Sequence, residues 1–222
     1  MARNVVCISY ATGAGGSEVG RLVAEHLGFQ YVDEELVSRA AIRGDVDAAD
    51  IADEERRKSW IRRVLDELAA GGGEAWTMGL GPYTPVEGAT SDELRASILD
   101  AIEETAEEGK AVIVAHAASH ALASRQDVLR VLVTASPETR AARVAEAEGM
   151  DEAAAARAIK DADAGRSDYL KRFHDIGREL PTQYDLVLNT DRLSPEQAAS
   201  LVQAAATSSA PAPRLHDPKG GA

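Results

Sequence analysis

The stretch that most restricts the fold is residues 4–28, where an apolar run, a glycine-rich turn and an amphipathic run follow one another without a break. Residues 4–9 (NVVCIS) are apolar at four of six positions, and three of those are Val or Ile, which predicts a short buried strand. Beyond YATGAGG, the residues Val19, Leu22, Val23 and Leu27 recur at helical spacing up to Gly28, a suitable helix stop. A strand that passes through glycines into a helix can cradle phosphate: the glycines admit close backbone approach, and the helix start presents unpaired N–H groups at a positive dipole end. On this reading Gly13, Ala14, Gly15, Gly16, Ser17 and Glu18 are the candidate phosphate-binding residues. A tight strand-to-helix connection with no ligand is the other reading of the same pattern. The common nucleotide-loop motif ends in Gly-Lys-Ser/Thr; here Gly16 stands in the lysine's place, and Ser17 keeps the position whose hydroxyl would hold magnesium.

The 222 residues suffice for one α/β domain with an insertion, or at most two small domains. No apolar stretch approaches the length of a membrane span, and the sequence enters its first strand without a charged and apolar leader, so a cytoplasmic protein with no membrane partner is expected. The single cysteine, Cys7, excludes a disulfide framework or a cysteine-built zinc site within one chain. A net charge of −13 argues against general affinity for nucleic acid, so a phosphate-handling site must be locally basic. With aromatics at 4%, base-stacking platforms are not expected either.

Residues 29–32 (FQYV) predict a second strand that leaves Asp33 at its carboxyl end, where open α/β sheets place ligands; capping the next helix is Asp33's alternative role. A helix is expected from 34 to 41, and a charged helical stretch over 45–70 carries an apolar stripe of Ile61, Val64, Leu65 and Leu68. Residues 71–90, rich in glycine and proline, read as a mobile loop, either a lid or partner contact or a packed surface loop. A helix opens at Ser91, and residues 111–115 (AVIVA) form a third, fully apolar strand followed at once by His116, which faces the ligand crevice or serves as a capping or packing group. Residues 127–135 predict the fourth strand, and Ser136-Pro137-Glu138 opens a helix that runs to Glu148. Asp151 caps another helix, reaching about Phe173, that carries Arg157, Lys160, Arg166, Lys171 and Arg172 interleaved with acids. Charge pattern alone favours a solvated face for this basic run. Residues 184–188 predict the fifth strand, a final helix extends to about Ala206, and 207–222 read as a disordered tail. Five apolar strands separated by helices predict a doubly wound, mostly parallel sheet.

Four stretches together resemble the cytidylate-kinase-like family of P-loop nucleoside monophosphate kinases: ISYATGAGGSEVGRLVAEHLGFQYVD (8–33), VIVAHAASHALASRQDVLRVLVTAS (112–136), RVAEAEGMDEAAAARAIKDADAGRSDYLKRF (143–173) and YDLVLNTDRLSPEQA (184–198). The third is the most specific, because Lys160, Asp163, Arg166 and Tyr169 fit the K-x-x-D-x-x-R-x-x-Y pattern of that family's lid helix. The resemblance implies a P-loop NTPase-type five-stranded parallel sheet flanked by helices. It implies a single kinase-like domain over 1–206, with a helical insertion at about 40–90 and a helical lid at about 149–175. The implied activity is phosphoryl transfer from ATP with Mg2+ to a nucleoside monophosphate, CMP or dCMP. ATP would sit on residues 13–18, magnesium at Ser17, and the catalytic cations would be Lys160, Arg166 and Arg157. Asp33, His116, Asp163, Tyr169 and Arg172 would serve the acceptor.

The chain departs from the family's usual pattern in two places: GAGGSE stands where a GSGGRE-like loop is usual, and Ala115-His116-Ala117 where Gly-Arg-Gly is. A nucleotide-binding member without kinase activity is therefore the alternative. As solvated lid cations the arginines would add little to stability, about 0.5 kcal/mol or less for Arg166→Ala. Asp163, three residues from both Lys160 and Arg166, is placed to orient either. The sequence does not specify an oligomeric state.

Overall fold

The apolar run after Asn4 becomes β1 (Val5–Tyr10), whose Val5, Val6, Cys7 and Ile8 have no exposed surface. Burying such side chains is worth about 2 kcal/mol each, which favours a central position covered on both faces. In the computed structural model, which describes residues 3–33, 91–115 and 118–208, β1 lies in the middle of a five-stranded sheet. Its companions are β2 (Gln30–Asp33), β3 (Ala111–Val114), β4 (Val128–Thr134) and β5 (Leu186–Asn189), in the order β2-β3-β1-β4-β5 and parallel throughout. All five strands read from the sequence are present; their ends shift by one or two residues. The readings at 34–90, at His116 and from 209 onward lie outside the described residues.

One face of the sheet is covered by α1 (Gly16–Leu27) and by α6 (Pro195–Thr207), whose Val19, Val23, Ala198 and Val202 pack with Val6, Ile8 and Val131. On the other face α2 (Ser91–Glu108) and the short α3 (Ala118–Ala121) bring Ile102, Ala106 and Ala118 against Val5, Cys7 and Ile113. The pair α4 (Pro137–Glu148) and α5 (Glu152–His174) joins through Ala141, Ala145 and Ala155, small enough to let the helices approach closely, and through Ile159. Both starts are capped as their sequence predicts: Ser136 accepts from the Thr139 N–H at 3.3 Å and Asp151 from the Ala154 N–H at 2.9 Å. The short α3 was not foreseen. No helix among the described residues is long and apolar enough to cross a membrane.

The order of the strands places the site. The chain winds through β2 and β3 on one side of β1, then through β4 and β5 on the other, so the winding reverses at β1. Reversal parts the connections at the carboxyl end and opens a crevice there.

Candidate functional site

At the end of β1 the backbone turns through two glycines with left-handed φ, 81° at Gly13 and 80° at Gly15. Gly13 is required twice over, because a Cβ there would come 2.8 Å from the Arg140 carbonyl oxygen of α4. Gly15 caps α1 without a side-chain bond, so no capping side chain takes up the N–H groups at the helix start, where Gly16, Ser17 and Glu18 lie. A Cβ at Gly15 would meet nothing within 4 Å. At Gly16 the situation is reversed. A Cβ would lie 2.3 Å from Cβ and 2.4 Å from Cγ of Tyr10, so the Tyr10 side chain already fills the space a lysine would need.

The carbonyl side of the turn is held at four points. Arg166 Nη1 donates to the Tyr10 carbonyl at 3.4 Å, Arg140 Nη1 to that of Thr12 at 3.3 Å, and Arg143 Nη1 to that of Gly13 at 3.5 Å. The Thr190 hydroxyl, only 4% exposed and just beyond β5, donates to the Ala14 carbonyl at 2.9 Å. Arg143 is fixed by Thr190 in turn, reaching its hydroxyl at 3.0 Å and its carbonyl at 2.7 Å. In a trans peptide the C=O and N–H point in opposite directions, so drawing the Thr12 and Ala14 carbonyls toward these donors turns the N–H groups of Gly13 and Gly15 to the opposite side. The result is a rigid rim of donors backed by cations, in a chain otherwise strongly acidic.

The cations are themselves oriented by acids. Asp163 of α5 takes both ends of the buried Arg140 guanidinium, at 2.9 and 2.6 Å. Glu179, beyond α5, takes Arg166 in the same forked manner at 3.1 and 2.5 Å, and also accepts from the Tyr184 hydroxyl. Burial pushes the Glu179 carboxyl up, but the Arg166 and Tyr184 bonds and the Arg166 charge outweigh it and hold the group below its usual range. Burial first, and Glu179 second, push the Tyr184 phenol well above its ordinary value. His120 of α3 lies with Nε2 at 3.3 Å from the Tyr184 oxygen, and burial lowers it to about 4, so it is neutral near pH 7.

Of the candidate residues, 13–18 form the turn and the first residues of α1, and Arg166 reaches the turn directly. Arg166 is not the solvated cation its charge pattern suggests: its side chain is 9% exposed and paired, so the expectation of a negligible stability cost does not apply. Asp163 pairs with Arg140 rather than serving Lys160 or Arg166. Arg157 and Lys160 are exposed, on the side of α5 away from Ala155 and Ile159. Asp33 is half-buried at the end of β2, in register with Val114, and Tyr169 is half-buried with its ring 5.8 Å from that of His174. Arg172 belongs to α5, but its side chain, like all of His116, lies outside the described residues. Sequence reasoning missed Arg140, Arg143, Glu179 and Thr190. Thr190 could have been found, since it follows the fifth strand at the same carboxyl-end address that singled out Asp33. The others are joined to the turn by contacts that no local pattern announces.

A glycine turn backed by arginines at the switch point of a parallel sheet in this order defines the class: an α/β protein of the P-loop type. A family described as cytidylate kinase-like matches residues 5–192, and the chain belongs to that family and is in general terms a nucleotide kinase, as its four stretches suggested. A cytidylate kinase from Methanopyrus kandleri is 27% identical over 212 residues, spanning 90% of this chain and 92% of that one. An uncharacterized protein from Eubacterium ventriosum shares the fold, with a TM-score of 0.63 at 18% identity, covering 89% of this chain and 94% of the other.

Proposed function

We propose that the protein transfers the γ-phosphoryl group of Mg-ATP to a nucleoside monophosphate of the CMP or dCMP kind. The observation that carries this reading is the four-point hold on residues 10–14, which presents N–H donors on one side of the turn and keeps three guanidinium groups on the other. The residues fit a polyphosphate: positions 13 and 15 put no side chain in its way, and the N–H groups at the start of α1 carry no side-chain cap. Bound magnesium would neutralise charge between the phosphates. Ser17 is the residue that would hold it, with phosphate and water supplying the other ligands, because no cluster of acids, histidines or cysteines able to hold a metal occurs among the described residues.

Arg166 would steady the charge that builds on the transferred group, a task of positioning and neutralisation rather than nucleophilic attack. Lys160 and Arg157 join it only if α5 closes as a lid, the role proposed for residues 149–175 within a single domain of residues 1–206. Asp33, His116, Asp163, Tyr169 and Arg172 are assigned to the acceptor side. The products are ADP and the nucleoside diphosphate. One observation favours a second reading, nucleotide binding without turnover: the lysine's place is closed by Tyr10.

A panel of nucleoside monophosphates with Mg-ATP, read by ADP release and separately by thermal shift, decides between them. Turnover with CMP or dCMP above the other acceptors is expected. Stabilisation by Mg-ATP without ADP release would establish the second reading, and no shift at all would sink both.

A further inference from the structure

A run of hydrogen bonds links α3 to the phosphate turn through the Glu179 carboxylate. Neutral His120 can offer Nε2–H to the Tyr184 oxygen at 3.3 Å; the Tyr184 hydroxyl donates to Glu179; Glu179 accepts the Arg166 fork; and Arg166 Nη1 donates to the Tyr10 carbonyl. With its hydroxyl hydrogen committed to Glu179, Tyr184 can only accept from His120, so donation converges on the Glu179 carboxylate from Tyr184 on one side and Arg166 on the other. Glu179 and Tyr184 come from one compact unit, because the 3₁₀ turn Pro181–Gln183 is closed by Gln183 N–H to the Leu180 carbonyl at 3.0 Å and Tyr184 N–H to that of Pro181 at 3.1 Å. Tyr184 is buried, so its phenol has little freedom to aim elsewhere.

We propose that Glu179 and Tyr184 are positioning residues for phosphoryl transfer: they aim the Arg166 guanidinium at the start of the phosphate turn. The proposal rests on the kinase reading above and adds to it the device that replaces the lysine. Tyr10, whose ring fills the lysine's space, is the same residue whose carbonyl receives Arg166, so the cation enters the turn from its carbonyl side instead of from α1. A buried ion pair repays little more than its desolvation, whereas a forked pair fixes the plane and direction of the guanidinium.

The test compares Glu179→Gln, Tyr184→Phe and a control, Asp185→Asn. The control breaks another forked pair, Arg130 with Asp185 at 3.2 and 2.9 Å, made in the first half of β4 away from the turn. Glu179→Gln should lower kcat by about 10²-fold with KM for Mg-ATP within about threefold, the signature of a group felt mainly in the transition state. Tyr184→Phe keeps the ion pair and should cost roughly tenfold in kcat, the worth of one hydrogen bond. Asp185→Asn should lower Tm and leave both constants unchanged. Folded Glu179→Gln and Tyr184→Phe proteins with undiminished kcat, or losses matched by the control, overturn the proposal.

An NMR titration needs no turnover and separates the two readings. The Arg166 Nε–H resonance of the unaltered protein should move on adding Mg-ADP, and should move less in Tyr184→Phe. If no monophosphate is turned over but this difference is seen, the kinase reading fails and with it the role in transfer, while the aiming of Arg166 toward bound nucleotide by Glu179 and Tyr184 stands. A resonance that Mg-ADP leaves unmoved in the unaltered protein ends the proposal whatever the turnover shows.

Discussion

At position 16 the question is what a side chain would displace. Lysine cannot be added to Gly16 while Tyr10 is present, since the new Cβ would overlap Tyr10 Cβ at 2.3 Å. Gly16→Lys alone should therefore destabilise the fold by about 1–3 kcal/mol through overpacking. Pairing it with Tyr10→Gly should recover at least about 1 kcal/mol of that loss, a coupling of the size seen between residues in contact. Urea unfolding of the two single variants and the double variant measures the coupling; strictly additive losses would mean that the ring does not occupy the lysine's space. Read as sequence, the two positions look like a lost lysine and an unremarkable strand end. Only the fold shows that they exclude one another.

At the scale of elements, α5 has two halves with different bonding on one face. Ala155, Ile159, Asp163, Arg166 and Leu170 are spaced by three or four residues and turn the same way. The first two pack on α4, Asp163 binds Arg140 of α4, and Arg166 reaches past it to β1 and the segment beyond α5. Asp163→Ala strands a guanidinium that is 6% exposed, and should cost about 1–3 kcal/mol in chemical denaturation. Because Arg140 also holds the Thr12 carbonyl, the same variant should weaken Mg-ATP binding, and an unchanged affinity would show that α5 does not brace the turn. The helix itself, its Asp151 cap and its length were legible in the sequence. Its facing was not, because alanine occupies so much of the helix that apolar periodicity gives no contrast, and the acids that bind Arg140 and Arg166 stand 23 and 13 residues away in the chain.

Across the whole molecule, the apolar runs announced five strands, but not their order: β1 pairs with β3 and β4, each more than a hundred residues on in the chain. The same separation hid half of the site. The glycines that bare the N–H side of the turn lie in one short segment and were readable, whereas the carbonyl side is held by residues 140, 143, 166 and 190. Two groups behind that hold, His120 and Glu179, make stability depend on pH in two windows. His120, lowered to about 4, takes up no proton in the folded chain where the unfolded chain does, so stability should fall as pH drops from about 6.5 toward 4. Glu179, held below its usual range, contributes stability above about pH 4.5 that is lost as pH falls through its folded value. His120→Asn should flatten the upper window and spare the lower one in unfolding curves taken at successive pH values; an unaltered slope between 6.5 and 4.5 would exclude His120 as its source. The four-point hold also has a consequence in time. During synthesis from the amino end, the turn at 10–17 leaves the ribosome first and its last brace, Thr190, is made 173 residues or more later. For most of its making the nascent chain carries a glycine turn whose carbonyl side is unbraced. If that turn holds phosphate as proposed, nucleotide rewards only a chain made through the end of the fifth strand.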